Sequence, residues 1–416
     1  MTEFFNVLPP DEARALLLRH VRSLADPEVI ATESALGRVT ATALLAPQSL
    51  PTFRRSTMDG YAVRAADTHG AGESLPAFLQ VVGEVGMGRA AGMALRPGEA
   101  ALVHTGGMIP DTADAVVQVE HTQRVGGPAG GFPHEIEVLR AVAVGQNVIQ
   151  VGEDVAPGAI ILPAGHVLRP QDLGGLLALG LTEAPVARRP RVAILATGDE
   201  VVPPSAAPGP GQIRDINSYT VAGQVIQAGG IPQVRGIVPD DFAALRAAAV
   251  AALAESDMLV MSAGSSVSVR DMTVRVIGEL GAPGVLLHGV ATRPGKPTIV
   301  GAVDGRPVLG LPGNPVSAMI QFDMFGVPAI YHLQGAAAMP RHGRVWARLT
   351  QNVPSESGRE DYVPARLEET DAGLLAVPVF GKSNLIYTLV QADGLIKVPL
   401  NRGGLLAGDL VEVRLF

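Results

Sequence analysis

The chain contains no cysteine, which excludes disulfides, a thiolate nucleophile and zinc or iron–sulfur sites built on Cys. Lysine is nearly absent: only Lys296, Lys382 and Lys397 occur, and every other basic residue apart from histidine is arginine. Aromatic residues make up 4% of the 416 positions and charged residues 17%, the latter below the roughly 25% of an average soluble protein. No apolar run approaches the roughly eighteen residues that a membrane helix needs. The first ten residues show no basic segment leading into an apolar one, so no secretory signal is expected. A net charge of −8 argues against nonspecific binding to nucleic acid or anionic lipid. These absences together lead to the expectation of a soluble, cytoplasmic, multidomain protein.

What the chain has in excess is glycine (49) and proline (33), residues that set unusual backbone geometry in loops. The loops separate regions of different texture. Residues 10–25 place apolar side chains at helical spacing behind acidic residues, the pattern of an amphipathic helix. From about residue 46 to 150 the pattern is strand-like, with short β-branched runs such as Ala115–Val119 and Ile136–Val138, and Val125–Pro133 reads as a hairpin tip. Residues 191–333 alternate strands and helices: strands at Arg191–Thr197, Gln233–Val238 and Met258–Ser262, helices near Ser218–Ala228, Asp241–Glu255 and Met272–Leu280, then three further strands and a helix after Pro315. That alternation predicts a doubly wound, mainly parallel α/β/α domain. Residues 341–416 alternate apolar and polar between turn signals, so a C-terminal all-β domain closes the chain.

In open α/β sheets ligands bind beyond the carboxyl ends of the strands. Those ends run here into Thr197-Gly-Asp-Glu200, Pro239-Asp-Asp241, Ser262-Ala-Gly-Ser-Ser-Val-Ser268, Arg293-Pro-Gly-Lys-Pro297 and Leu311-Pro-Gly-Asn-Pro315. Ser/Gly loops before helices direct N–H groups at an anion, Arg293 can grip an oxyanion bidentately, and Lys296 is a mobile point charge. Asp199, Glu200, Asp240, Asp241 and Asp271 are too many carboxylates for a bare anion, and Mg2+ bridging them to phosphate oxygens resolves the conflict. Each piece also has a plainer reading. Asp240 and Asp271 stand where helix N-caps belong, and Pro312, Gly313 and Pro315 can simply end a strand and start a helix. The nine histidines show no metal-ligand spacing and read as structural.

Residues 51–64 (PTFRRSTMDGYAVR), 104–120 (HTGGMIPDTADAVVQVE), 145–155 (GQNVIQVGEDV), 196–201 (ATGDEV), the Ser/Gly loop, RPGKP at 293–297 and GLPGNPVSA at 310–318 together resemble the molybdopterin molybdenumtransferase family, the MoeA type related to the gephyrin E domain. The resemblance implies four domains: 1–45 with 150–187, a β-rich inserted domain at 46–149, an α/β molybdopterin-binding domain at 188–335, and a small β domain at 336–416. It implies a homodimer with the site shared between subunits, and a possible molybdopterin adenylyltransferase as partner. The implied reaction inserts molybdate into adenylylated molybdopterin with Mg2+-dependent release of AMP. Matched motif by motif, Asp59, Thr105, Asp154, Glu200, Asp240 and Asp271 are the expected catalytic residues, and Glu200, Asp240 and Asp271 the expected metal ligands. Gly264, Ser265, Ser266, Ser268, Arg293, Lys296, Pro312, Gly313, Asn314, Pro315 and Ser317 are the expected substrate-binding residues.

Three departures from the family pattern stand out: Arg54-Arg55 in place of Asp-Asn, Ala263 and Ser268 in place of glycines, and Ala196 in place of serine. The motifs leave a tungstate-inserting paralogue, a molybdopterin adenylyltransferase and a noncatalytic dimeric scaffold as alternatives. The length of the chain disfavours the adenylyltransferase, and the retained carboxylates disfavour the scaffold.

Overall fold

The computed structural model describes residues 7–24, 26–126, 133–262 and 267–416, without the side chains of 267–269. The chain forms two compact units. One comprises Ala43–Leu162 with Gly174–Leu181, and the other comprises the remaining segments, Met1–Thr42, Pro163–Leu173 and Thr182–Phe416.

The first of these units is built on a six-stranded sheet. Its strands are β1 (Gly60–Val63), β2 (Ala77–Glu84), β3 (Glu99–Val103), β4 (Ala115–Gln118), β5 (Thr122–Val125) and β6 (Glu135–Val138), in the order β4-β1-β3-β2-β6-β5. Only β2 and β3 run parallel. Period-two alternation sends Tyr61, Val63, Val117 and Ile136 into one core and Ala62, Val103 and Val116 into another, as pleating requires. The centre of the hairpin predicted at Val125–Pro133 lies outside the described residues.

In the second unit, α1 (Pro10–Arg19) carries Ala13 and Leu17 fully buried. The α/β region follows as β7 (Arg191–Thr197), α2 (Asn217–Gln227), β8 (Ile231–Val238), α3 (Phe242–Ala254), β9 (Met258–Ser262), α4 (Val267–Leu280), β10 (Pro283–His288), β11 (Ile299–Val303), β12 (Arg306–Leu311), α5 (Pro315–Gln321), a π turn at Phe322–Gly326 and α6 (Val327–Leu333). The sheet order is β8-β7-β9-β12-β11-β10. The first four strands are parallel, β11 pairs antiparallel with β12, and β10 pairs antiparallel with β11, so that β11 alone runs against the other five. Successive residues of the buried strands feed opposite layers. Val192, Ile194, Met258 and Val260 pack with α1, α2, α5 and α6, whereas Ala193, Leu195, Leu259 and Met261 pack with α3 and α4. The doubly wound reading therefore holds. Helix α4 starts five residues earlier than predicted, because neither Gly nor Pro interrupts 267–277 and nothing breaks the turns there.

The C-terminal strands are β13 (Arg344–Leu349), β14 (Glu360–Thr370), β15 (Gly373–Pro378), β16 (Gly394–Val398) and β17 (Leu410–Leu415), ordered β14-β15-β13-β17-β16. Strand β14 also pairs with β16, so the sheet closes into a barrel and removes its long free edges. Thr292 and Arg293 add a short parallel pairing to the start of β14, at Glu360 and Asp361.

Candidate active site

The carboxyl ends of β7 and β8 bring three carboxylates together. Gly198 makes this possible: its φ is +142°, and a Cβ built there would lie 2.7 Å from Glu200 Oε2. Only glycine takes that backbone conformation without strain and lets the Glu200 carboxylate fold back over the turn. Asp199 Oδ1 accepts the backbone N–H of Asp240 at 3.2 Å. Asp240 has its pKa raised, first by burial and then by the charges of Asp199 and Glu200; the Asp199 backbone and the Thr197 hydroxyl oppose the shift. That opposition is weak, since Asp240 Oδ1 and Thr197 Oγ1 are both buried without completing a hydrogen bond. A buried carboxylate oxygen with no donor, crowded by two like charges, is costly on its own.

The capping alternative fails for both predicted carboxylates. Asp241 is the N-cap of α3, in extended conformation, with Oδ1 accepting from the Ala244 N–H at 2.8 Å. Asp240, one residue earlier, is left without that role. Asp271 is the fifth residue of α4 and exposed, too far into the helix to cap it. Among the described residues no three His, Asp or Glu side chains form a metal-ligand group, so Glu200, Asp240 and Asp271 do not make a closed cage. The arrangement still suits Mg2+, which is usually held by one or two carboxylates plus water and substrate phosphates. The unpartnered Asp240 Oδ1 beside Glu200 and Asp199 is that kind of donor set.

Two neighbouring loops are fixed by residues that the motifs did not single out. Asn217, buried at the start of α2, donates from Nδ2 to Ser262 Oγ at 2.8 Å and to the Gly313 carbonyl at 2.9 Å. It ties the end of β9 to the Pro-Gly-Asn-Pro turn. The loop at 293–297 needs Gly295, whose φ is +107° and whose added Cβ would lie 2.4 Å from Gln321 Cγ. Fully buried Gln321 donates to the Pro294 carbonyl at 2.9 Å. Arg293 is mostly exposed, with Nη1 3.7 Å from Asp361 Oδ2, and Lys296 is exposed. Polar residues inside helices normally read as solvated faces, which is why Asn217 and Gln321 escaped notice.

The Pro-Gly-Asn-Pro turn does what the plainer reading expected. Leu311 ends β12, and Pro315 starts α5 at a position where its missing N–H costs nothing. The next N–H, of Val316, donates to the Ser383 carbonyl, and Asn314 Nδ2 donates to Ser383 Oγ at 2.9 Å. That turn therefore offers fewer free N–H groups to an anion than the sequence suggests. Ser317 is buried in α5. Gly264, Ser265 and Ser266, together with Ala263, lie outside the described residues, as does the side chain of Ser268. Ala196 is buried and pairs with Ser262 in the sheet.

The other unit carries a separate group. Thr105 donates to Asp59 Oδ1 from its backbone N–H (2.8 Å) and its hydroxyl (3.2 Å). These bonds, the backbone one foremost and with help from the His104 charge, lower the Asp59 pKa. His104 Nε2 in turn lies 2.8 Å from Glu84 Oε1. Pairing of Val148 with Ser56 and of Ile149 with Arg55 brings the 145–155 motif beside the 51–64 motif, and Asp154 is exposed there, its N–H on the Leu50 carbonyl. Arg54 does not bring its charge to Asp59 through a direct bond: its guanidinium donates to the carbonyls of Pro110, Asp111 and Ala113.

Comparison with known proteins covers the whole chain. Residues 8–180 match the profile of the MoeA N-terminal region (domain I and II), 193–332 that described as "Probable molybdopterin binding domain", and 346–416 that of the MoeA C-terminal region (domain IV). The chain is 34% identical to molybdopterin molybdenumtransferase 2 of Mycobacterium tuberculosis, covering 93% of this chain and 94% of the relative. It is 33% identical to the molybdopterin molybdenumtransferase of Bacillus subtilis, covering 100% and 95%. A crystal structure of the molybdopterin biosynthesis moeA protein from Pyrococcus horikoshii superposes with a TM-score of 0.84 at 32% identity, over 99% of this chain and 100% of that one.

Proposed function

The chain belongs to the MoeA family of molybdopterin molybdenumtransferases, and from that premise we propose that it inserts molybdate into adenylylated molybdopterin with Mg2+-dependent release of AMP. Membership makes it a transferase of molybdenum cofactor biosynthesis. The finer reading rests on one observation: an unpartnered, partly buried Asp240 carboxylate beside Asp199 and Glu200, at the carboxyl ends of a doubly wound sheet.

Asp240 and Glu200, with Asp199 behind them, would hold Mg2+, which when bound neutralises charge on the phosphoanhydride oxygens. The chain's own residues bind and orient. Gly198 keeps Glu200 folded toward Asp240. Asn217 fixes the two turns that border the site. Arg293 and Lys296 present positive charge to oxyanions, on a loop whose shape Gln321 locks. In the other unit, Thr105 holds Asp59 ionised and aimed. We read the chain as a homodimer, and sedimentation as a monomer at micromolar concentration would refute that.

The test is an assay of the purified chain with adenylylated molybdopterin, Mg2+ and either molybdate or tungstate. AMP release that requires Mg2+ and molybdate is expected. No release with either oxyanion would overturn the proposal, and release with tungstate alone would replace molybdate in it.

A further inference from the structure

A cleft of about 760 Å³ lies in the second unit, walled by α1, α2, the π turn, α6 and the barrel strands β13, β14, β16 and β17. Its lining includes the last turn of α2, at the opposite end of that helix from Asn217, so it is separate from the carboxylate cluster. The volume suits a ligand of drug or nucleotide size, since such pockets run from roughly 300 to 1,000 Å³.

The lining has three distinct parts. The first is cationic. Arg414 is paired with Asp323, and Arg344 Nη1 lies 3.3 Å from Glu412 Oε1. Arg341, exposed and lining the cleft, has neither an ion-pair nor a hydrogen-bond partner among the described residues. His342 is next to it, 3.9 Å from Asp323. The second part is flat and polarisable: half-buried Tyr331 with Met324 and Met339, side chains that favour an aromatic ring. The third is an unmet acceptor. Gln224 donates from Nε2 to the Met319 carbonyl at 3.0 Å, which fixes the amide, and leaves Oε1 buried at the wall without a donor.

The π turn is an independent pointer. Such turns are rare and occur mostly at functional sites, and this one supplies both Asp323 and Met324 to the cleft. Gly326 closes it, where an added Cβ would lie 2.3 Å from the Phe322 ring.

We propose that this cleft binds a nucleoside monophosphate, with the phosphate received by Arg341 and His342, the base laid against Tyr331 and the methionines, and an amino edge of the base offered to Gln224. Recognition then needs both halves of the ligand: a bare anion finds no ring surface, and a neutral nucleoside leaves Arg341 unpaired. The site is independent of the reaction proposed above, although AMP is a product of that reaction and the test must separate the two places.

The test is calorimetric titration of the full chain with AMP, ribose 5-phosphate and adenosine, in the wild type and in Arg341→Glu, Gln224→Leu and Lys296→Ala. The expected result is AMP binding that weakens at least tenfold in Arg341→Glu and persists in Lys296→Ala. Ribose 5-phosphate and adenosine should each bind at least tenfold more weakly than AMP. Gln224→Leu should weaken AMP while leaving ribose 5-phosphate unchanged, which also shows that the variant is folded. Equal binding of ribose 5-phosphate and AMP, AMP binding unchanged by Arg341→Glu, or AMP binding abolished by Lys296→Ala would each overturn the proposal. Loss of turnover with cleft binding intact would count against the proposed reaction alone.

Discussion

Replacing Asp240 by asparagine should make the metal-free protein more stable while removing its response to Mg2+. Burial, together with the charges of Asp199 and Glu200, raises the Asp240 pKa. A like-charge pair at 4 Å costs about 1 kcal/mol in water and about 4 at an effective dielectric of 20. Asp199 is exposed and Glu200 half-buried, so screening puts the net penalty near the low end, at about 1–2 kcal/mol. Asparagine keeps the shape and removes the charge. The gain expected at pH 7.5 corresponds to a rise in Tm of about 2–4 °C. The sign with pH follows from the raised value. Ionisation is harder in the folded chain, so the wild type loses stability as pH climbs from the ordinary carboxylate range near 4 through the raised folded value. Wild type and variant should therefore converge below about pH 4 and diverge above it. Mg2+ at a hundred times its Kd should stabilise the wild type by about 2.7 kcal/mol and the variant by far less. Thermal melts at several pH values, with and without Mg2+, measure all of this. A variant that melts below the wild type at pH 7.5, or that gains as much from Mg2+, would refute the assignment.

Two further substitutions probe the support beneath the site and the scaffold. Gly198→Ala forces a Cβ into a left-handed conformation against the Glu200 carboxylate; a loss of about 1–3 kcal/mol in urea unfolding and at least a tenfold drop in Mg2+-dependent AMP release are expected. Asp172 would be raised by burial alone, but hydrogen bonds from Arg169 and His166 outweigh this and hold it well below the usual carboxylate range. Asp172→Asn should therefore cost about 2 kcal/mol at neutral pH. Its stability contribution is present above the unfolded value near 4 and is lost as pH falls toward the depressed folded one, so the two proteins should draw together in acid urea titrations.

Some of this architecture is written plainly in the sequence. The buried runs of β7 and β9 and the helical period of α3 show a doubly wound region without help, because burial on both faces leaves few polar positions to confuse the period. The direction of a strand leaves no such mark, so the reversal of β11 within the sheet was not readable. Gly198 and Gly295 announce the turns at the site, since only glycine suits their backbone. Which of two adjacent aspartates caps α3 depends on a single residue's extended conformation, and spacing alone does not separate Asp240 from Asp241. Asn217, Gln321 and Ser383 were invisible for another reason: each acts by holding a loop distant in sequence, a role with no local pattern. The order of the motifs along the chain carried the family, while the polar residues that join those motifs emerged only from the fold.

The pairing of Thr292 and Arg293 with β14, together with the grip of Ser383 on Asn314 and Val316, bears on how this protein can be dissected. A cut near residue 335 divides the sequence where its texture changes, and it looks like a natural place to isolate the α/β region. It would also strip backbone partners from the loops at 292–293 and 314–316, leaving each with an exposed strand stub or an unmet amide. A piece that keeps those loops shaped needs more than the run from about residue 190 to the last barrel strand, because the Leu8 carbonyl accepts the Ala291 N–H beside Thr292. In this chain the boundary of a folding domain and the boundary of a working part fall in different places.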